Sequence, residues 1–337
     1  PVFPAEPNVA PPVAPRVEHR ETRHDSVVVD HYYWLREKSN PNTLRYLEAE
    51  NAYTEAMTRQ VQPFADALYK EMLGRIKQTD LSVPTRRGGY LYYSRTEEGK
   101  QYPIQCRRKG SMEAPEEILL DLNELAKGHT FLGLGAFVIS DNESLLAYTT
   151  DVTGFRQYSL HIKDLRSGAT LPDTAQRVTS VAWAADNATL FYTTEDPVTK
   201  RSDHLFRLKL GTPSQALYQE GDELFRVHVS RTKDKKYLML DIGATDTTEV
   251  RYLAASQPAG AWKVILAREK KHRYDVEHRD GLFYIRTTPR TSRSSPRPTM
   301  RRSPPTGSRS SPISPTCWCS GSNCLRTTPS YSRKARR

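Results

Sequence analysis

Four strand-like segments recur along this chain at a nearly constant spacing. Successive segments lie 44, 47 and 45 residues apart when they are aligned on Tyr148, Tyr192, Met239 and Tyr284. Each segment follows a short polar turn, such as Ser140–Glu143 before the first. A period near 45 residues with about four strands per unit is typical of a β-propeller blade. The Gly-His and Trp-Asp marks of WD40 repeats are missing, which indicates another class of propeller.

The strand pattern extends over residues 81–286 and predicts a mostly β fold. Alternating apolar and polar residues between turn signals predict short strands from Tyr90–Arg95 through to Leu282–Arg286. This length supplies about four blades and the start of a fifth. A propeller has to close into a ring, because an open arc leaves a blade face unburied. We therefore predict an incomplete β-propeller.

The residues before the strands predict two further regions. Residues 1–16 are rich in proline and lack a basic segment followed by an apolar one, so we expect a flexible lead-in and a cytoplasmic location. Residues 17–80 predict a helical extension, with Asn40–Thr43 as the cap of a first helix and Pro63 at the start of a second. No run of about 18 apolar residues exists, and we expect no membrane partner.

Residues 287–337 differ in composition from everything before them. Thr287–Arg337 contains eleven Lys or Arg, twelve Ser, eight Pro and no acidic residue. The residues before Thr287 carry equal numbers of acidic and basic side chains, so the formal net charge of +11 belongs to this tail. Frequent prolines and the lack of apolar alternation predict a disordered segment that cannot complete the propeller.

Three interpretations of the tail compete. A basic arm could bind nucleic acid through phosphate contacts, and a disordered linker would have a similar composition. The third interpretation is a reading-frame error after Arg286. Residues 312–331 can be encoded by codons that, read in a shifted frame, translate to an amino-acid sequence with acidic residues, strand-like alternation and no proline. We favour the frame error and expect no nucleic-acid partner.

Residues that could act in catalysis or bind a metal are scattered through the sequence, and we assign no catalytic, cofactor-binding or metal-binding residue. Cys106 is interpreted as a small packing residue, because no histidine lies beside it. The tail cysteines lack the fourth ligand of a structural zinc site; they are Cys317, Cys319 and Cys324. The nine histidines form no HxxxH pair. The basic run Arg268–Arg273 is interpreted as a solvated loop between two strands, with an anion-binding patch as the alternative.

Several stretches resemble the prolyl oligopeptidase family of serine peptidases, and within it the oligopeptidase B group. The resemblance covers roughly residues 17–286. It rests on long matches rather than on single residues, and these are Asp30–Arg36, Tyr46–Tyr53, Tyr69–Asp80, Tyr93–Pro103 and Gly154–Tyr158. This resemblance implies a helical extension, a seven-bladed propeller and an α/β-hydrolase domain. The first two agree with the helices and repeats inferred from the residues.

The resemblance also implies an activity, which is hydrolysis of short peptides after Lys or Arg by a Ser, His and Asp triad. The residues before the tail contain no Gly-x-Ser-x-Gly elbow, so we expect the hydrolase domain to be missing and the chain to be inactive. Asp30 and Trp34 are expected to belong to a structural element that docks on that domain. The alternative is a non-enzymatic propeller scaffold whose basic tail binds peptide or nucleic acid.

Overall fold

The computed structural model describes residues 9–288 and 299–303. The chain divides into two compact units, Pro1–Thr79 and Asp80–Arg337. The boundary lies one residue from the predicted end of the helical extension at residue 80.

The first unit contains a hairpin and two helices. Strands β1 (His19–Arg23) and β2 (Ser26–Asp30) pair around His24 and Asp25, which both have positive φ as a two-residue hairpin turn requires. A 3-10 turn at Tyr33–Arg36 leads to α1 (Pro41–Thr58), and a second at Arg59–Val61 leads to α2 (Gln62–Gly74). The side chain of Asn40 accepts a hydrogen bond from the Asn42 amide, which confirms the predicted cap.

The second unit is a series of antiparallel sheets, which we call blades 1 to 5 in chain order. Blade 1 is β3 (Thr85–Arg87), β4 (Tyr90–Arg95), β5 (Ile104–Lys109) and β6 (Glu116–Asp121), followed by the short helix α3 (Leu122–Leu125). Blade 2 is β7 (Gly133–Ile139), β8 (Leu145–Asp151) and β9 (Ser159–Asp164), with isolated bridges in place of a regular fourth strand. Blade 3 is β10 (Val178–Trp183), β11 (Thr189–Glu195), β12 (Ser202–Lys209) and β13 (Gln215–Gln219).

Blade 4 is β14 (Arg226–Arg231), β15 (Tyr237–Gly243), β16 (Thr248–Ala254) and β17 (Lys263–Leu266). Blade 5 contains β18 (Tyr274–Arg279), β19 (Leu282–Thr287) and β20 (Thr299–Ser303). Every ladder between these strands is antiparallel, and within each blade every strand pairs with the next one along the chain. The described residues therefore hold blades of a propeller and no parallel sheet of the α/β-hydrolase kind.

The apolar core lies between successive blades. One cluster joins blades 2 and 3 and includes the fully buried Leu160, Trp183 and Leu190. The next joins blades 3 and 4 through side chains such as Phe191 and Leu240. Similar clusters join blades 1 and 2 and blades 4 and 5. Because both faces of an inner blade are covered, its central strands are apolar almost continuously, as in Leu190–Thr193.

Hydrogen bonds between neighbouring blades repeat with the period seen in the sequence. The Trp183 indole donates to the Val138 carbonyl over 2.9 Å, and the two residues are 45 positions apart. The Asn142 amide donates to Asn187 Oδ1 over 2.9 Å, again across 45 positions. The repeat therefore corresponds to one blade, as predicted.

The prediction that the tail contributes no strand is wrong at β20. This segment pairs with β19 from Phe283–Ser303 to Thr287–Thr299. Pro298 and Pro304 flank β20, so its five residues all keep the amide N–H that a ladder needs. Backbone pairing requires no alternation of apolar and polar side chains, so the composition of the tail did not reveal this strand. The rest of residues 289–337, including the three tail cysteines, lies outside the described residues.

Candidate functional site

The first strands of blades 1 to 4 surround a cavity of about 920 Å³, which is the central channel of the propeller. Its wall includes Ala136 and Val138 of β7, Val181 of β10 and Val229 of β14. Polar turns follow these strands at one end, which we call the channel mouth. The channel is a concave surface lined by residues of four blades and is the candidate functional site.

Blades 2 and 4 are joined across the mouth by Asp141. Its Oδ2 atom lies 2.8 Å from Arg231 Nη2, and its Oδ1 atom lies 2.9 Å from Lys235 Nζ. These ion pairs extend past blade 3, which lies between blades 2 and 4. The acidic residue in the corresponding turn of blade 3 is Asp186, and it forms no such pair with any residue that the structure describes. Asp186 accepts hydrogen bonds from the amides of Ala188 and Thr189 and so stabilises its own turn. The mouth is therefore narrowed on one side by ion pairs between blades that are not neighbours.

Blades 1 and 2 are joined at the mouth by Glu143. Its Oε1 atom accepts the Gly89 amide over 2.7 Å, and its backbone carbonyl accepts Arg107 Nη1 over 2.8 Å. Gly88 has φ +55, and a Cβ atom on it would lie 1.9 Å from Glu143 Oε1. Glycine is favoured here on both counts, because the backbone is left-handed and an added Cβ atom would displace the Glu143 carboxylate from the Gly89 amide.

The hydroxyl groups of serines and threonines at the channel wall form hydrogen bonds that hold the blades together. Thr179 Oγ1 lies 2.7 Å from both Thr193 Oγ1 and Ser202 Oγ. Ser202 Oγ donates to the Val227 carbonyl over 2.8 Å, and Ser180 Oγ accepts the Val229 amide over 2.9 Å. These bonds tie blade 3 to blade 4. A nucleophilic serine needs a histidine base within hydrogen-bond reach, and these side chains are hydrogen-bonded to hydroxyls and backbone instead.

The histidines likewise join structural elements. His278 Nδ1 lies 2.6 Å from Asp234 Oδ2 and connects blade 5 to blade 4, while His204 Nδ1 lies 2.7 Å from Asp203 Oδ1. His161 Nε2 lies 3.0 Å from Thr150 Oγ1, and burial lowers the pKa of this imidazole. Within residues 9–288 the hydrogen bonds join no serine to a histidine–aspartate pair.

Cys106 is buried, as its interpretation as a packing residue requires. It is 1% exposed and packs with Tyr93 and Ile104. Burial raises the pKa of its thiol to about 11, so the nucleophilic thiolate is scarce at neutral pH. The prediction that Cys106 is a packing residue is confirmed by its burial.

The prediction of a solvated loop at Arg268–Arg273 is wrong for Arg268. The run does lie between β17 and β18, but Arg268 Nη2 lies 2.6 Å from Glu220 Oε2 and Arg268 Nε lies 3.4 Å from Glu249 Oε2. Both carboxylates are buried, and Arg268 also stacks on Phe225. Burial opposes ionisation of Glu220, but bonds from Arg268 and Tyr218 outweigh it and lower its pKa to about 2. Arg268 thus joins blades 3 and 4.

The two N-terminal residues singled out from the sequence make local contacts. Asp30 Oδ1 accepts the Tyr32 amide over 2.8 Å, and the Trp34 indole donates to the Pro15 carbonyl over 3.0 Å. These bonds fix the turn that enters α1. Their docking role stays a prediction.

The described residues show neither a metal site nor a membrane-spanning helix. No group of three His, Cys, Asp or Glu side chains within residues 9–288 has the arrangement of a metal site. None of the helices described is long and apolar enough to cross a membrane.

Sequence reasoning missed the charged residues at the channel mouth. Asp141, Glu143 and Lys235 lie in the turns that the repeats revealed, and Arg231 immediately precedes one. Their position before a repeated strand was a usable signal. It identified turns, but it did not show which turns face one another.

Successive antiparallel blades of three or four strands around a channel define a β-propeller protein. Residues 11–295 match the family model described as "Prolyl oligopeptidase, N-terminal beta-propeller domain". The chain therefore belongs to the prolyl oligopeptidase family, of which it contains the N-terminal propeller portion.

Similar proteins agree with this assignment. Dipeptidyl aminopeptidase BI of Pseudoxanthomonas mexicana is 36% identical over 82% of this chain and 41% of its own length. Protease 2 of Moraxella lacunata is 31% identical over the same shares. Oligopeptidase B from Trypanosoma brucei superposes with a TM-score of 0.76 at 26% identity, over 88% of this chain and 44% of that one. The chain thus spans less than half the length of these relatives.

Proposed function

We propose that this chain is the propeller portion of an oligopeptidase B-like serine peptidase that cleaves short peptides after Lys or Arg. The observation that carries the proposal is the match of residues 11–295 to the propeller domain of a peptidase family. The similarity to a protease 2 and to structures of oligopeptidase B favours this group within the family. The role of the propeller would be to cover the active site and exclude folded proteins.

The same proposal holds that the chain by itself does not hydrolyse peptides. The sequence contains no Gly-x-Ser-x-Gly elbow. The serines and histidines of the channel wall and blade contacts bind structural partners, as described above. Catalysis would need the Ser, His and Asp of a hydrolase domain.

We further propose that the first unit supplies a docking surface for that domain. The helices α1 and α2 expose apolar side chains along their length, including Leu47, Phe64 and Met72. Phe64 is 72% exposed, which is unusual for a phenylalanine on a helix. An apolar surface of this kind is typical of a protein interface. The partner would be the portion of the relatives that this chain does not span.

The tail is proposed to follow a change of reading frame after Arg286. The match to the propeller family ends at residue 295, inside the Arg, Ser and Pro-rich segment. The relatives extend well beyond this point, because the matched region covers only about two fifths of their length. A shifted frame would explain both the abrupt change in composition and the missing similarity.

Hydrolysis of a small chromogenic arginine substrate by the purified chain tests the catalytic part of the proposal, with trypsin as the positive control. We expect no turnover above buffer. Turnover that a serine-reactive phosphonate abolishes would show that the chain has its own active site, and the proposal of inactivity would then be wrong. Turnover that resists the phosphonate but disappears with further purification would identify a contaminant and leave the chain inactive.

A further inference from the structure

The channel mouth carries more positive than negative charge. Two acidic side chains line it, Asp141 and Glu143. Five cationic side chains line the same cavity, and they come from blade 1 and blade 4: Arg86, Arg87, Arg231, Lys233 and Lys235. The residues in this mouth are separated by up to about 150 positions in the sequence, so only the folded arc brings them together.

The acidic side chains of the mouth are already occupied. Asp141 binds both Arg231 and Lys235, as described above. Glu143 accepts the backbone amide of Gly89. The bond to Glu143 leaves its negative charge in place, but two carboxylates face five cations, so the mouth keeps a positive surplus.

The other three cations have no acidic partner among residues 9–288. Arg86 Nη2 donates to the carbonyl of Gly110 over 2.9 Å, which leaves its charge in place. Arg87 and Lys233 are exposed, and their side chains form no ion pair within the described part of the chain. The Glu277 carboxylate accepts the backbone amides of Lys233 and His278 and forms no ion pair with the Lys233 ammonium group within the described residues. The mouth therefore presents a surplus of positive charge to the solvent in the channel.

We propose that the channel mouth is a binding site for a multivalent anion, either the carboxylates of an acidic peptide or phosphate. Like charges around a concave wall concentrate the field and attract counter-charge. Guanidinium and ammonium groups form strong charge-assisted hydrogen bonds with carboxylate and phosphate oxygens. The proposal requires no catalytic domain and stands apart from the peptidase function.

Fluorescence anisotropy of a labelled hexaglutamate peptide with the full chain tests the site at low salt. The variant Arg87→Gln with Lys233→Gln removes two exposed cations from the mouth. The matched control is Arg156→Gln with Lys270→Gln, which removes two exposed cations from loops at the other end of the blades. Both proteins keep the basic tail, so a difference between them reports the mouth alone. Circular dichroism checks that each variant keeps its strands.

The mouth variant should bind the peptide about tenfold more weakly than the control, which corresponds to two exposed ion pairs within the usual range for such pairs. Addition of inorganic phosphate then distinguishes the two sources. Displacement of the peptide by millimolar phosphate supports a phosphate site, and binding that resists phosphate supports a site for acidic peptides. Equal affinities of the two variants would assign the binding to the tail and overturn the proposal, as would a failure of the unmodified chain to bind either ligand.

Discussion

Replacement of Arg268 by methionine tests whether the ion pairs between blades 3 and 4 stabilise the propeller. Glu220 is 5% exposed at its side chain and depends on Arg268 for a charged partner 2.6 Å away. Its pKa falls from 4.5 to about 2 on folding. A lowered pKa stabilises the folded state above the unfolded value near 4.5, and this contribution declines as the pH falls toward 2.

The size of the effect follows from this shift. A difference of this size between folded and unfolded pKa values corresponds to about 3 kcal/mol at pH 7. At pH 3 the unfolded carboxyl is mostly protonated, and the contribution falls to about 1 kcal/mol. Methionine retains much of the apolar stem of Arg268 against Phe225 but leaves Glu220 without its cation.

Hydrogen exchange of the β12 and β14 amides measures this loss where it occurs. Arg268 lowers the pKa of Glu220 together with Tyr218 and the Asp222 backbone N–H. In Arg268→Met the β12 and β14 amides should therefore exchange up to roughly 100-fold faster than in the parent chain at pH 7, and up to roughly tenfold faster at pH 3. The control is Arg279→Met, because Arg279 and its partner Asp280 are 79% and 75% exposed and their pair should contribute little. Equal exchange in parent and Arg268→Met, or a ratio that does not change with pH, would refute the reasoning.

Three further predictions concern packing and reactivity. Trp183→Phe removes the bond to Val138 and should cost about 1–3 kcal/mol in chemical denaturation; an unchanged midpoint would contradict the role of this contact. Gly88→Ala should lower the denaturation midpoint, because the new Cβ meets Glu143 and φ is positive, while Gly110→Ala, with positive φ but open space, should cost less. Cys106 should resist alkylation at pH 8 until the chain is denatured, since burial raises its pKa to about 11; peptide mass mapping separates it from the tail cysteines, and labelling in the native chain would contradict the buried position.

The strands that could be predicted from the sequence are those whose residues are continuously apolar or alternate between apolar and polar. The central strands β8 and β11 were identifiable because both of their faces are buried, which leaves a run of apolar residues flanked by turn signals. The outer strand β13 was missed. Its residues Gln215–Gln219 are largely exposed, and its place in the blade is fixed by pairing with β12 rather than by its own side chains.

Two other elements escaped prediction for related reasons. The innermost strand β3 has three exposed residues, Thr85–Arg87, and no apolar side chain. The hairpin of β1 and β2 depends on His24 and Asp25 in the left-handed region, a conformation that a sequence signals strongly only when glycine or asparagine is present. Short exposed strands are thus defined by their partners.

The residues of the channel mouth could be placed in turns but not paired. Asp141 and Arg231 are separated by two blades along the chain, and no spacing rule connects them. The contact arises because the arc brings the ends of first strands toward a common axis. Similarly, Arg268 lies in a basic run that composition assigns to solvent, whereas the fold places two buried carboxylates beside it. Ion pairs between residues far apart in the sequence are set by the tertiary structure.

We propose that this chain is the propeller portion of a longer peptidase and that the reading frame of its gene changes after Arg286. Sequencing the gene across the codons for Arg286 to Pro289 and through the region that follows tests it most directly. We expect that a shifted frame continues the propeller and then encodes a hydrolase domain with a Gly-x-Ser-x-Gly elbow. A verified frame that encodes Thr287–Arg337 as given, with no such domain in any frame downstream, would contradict it.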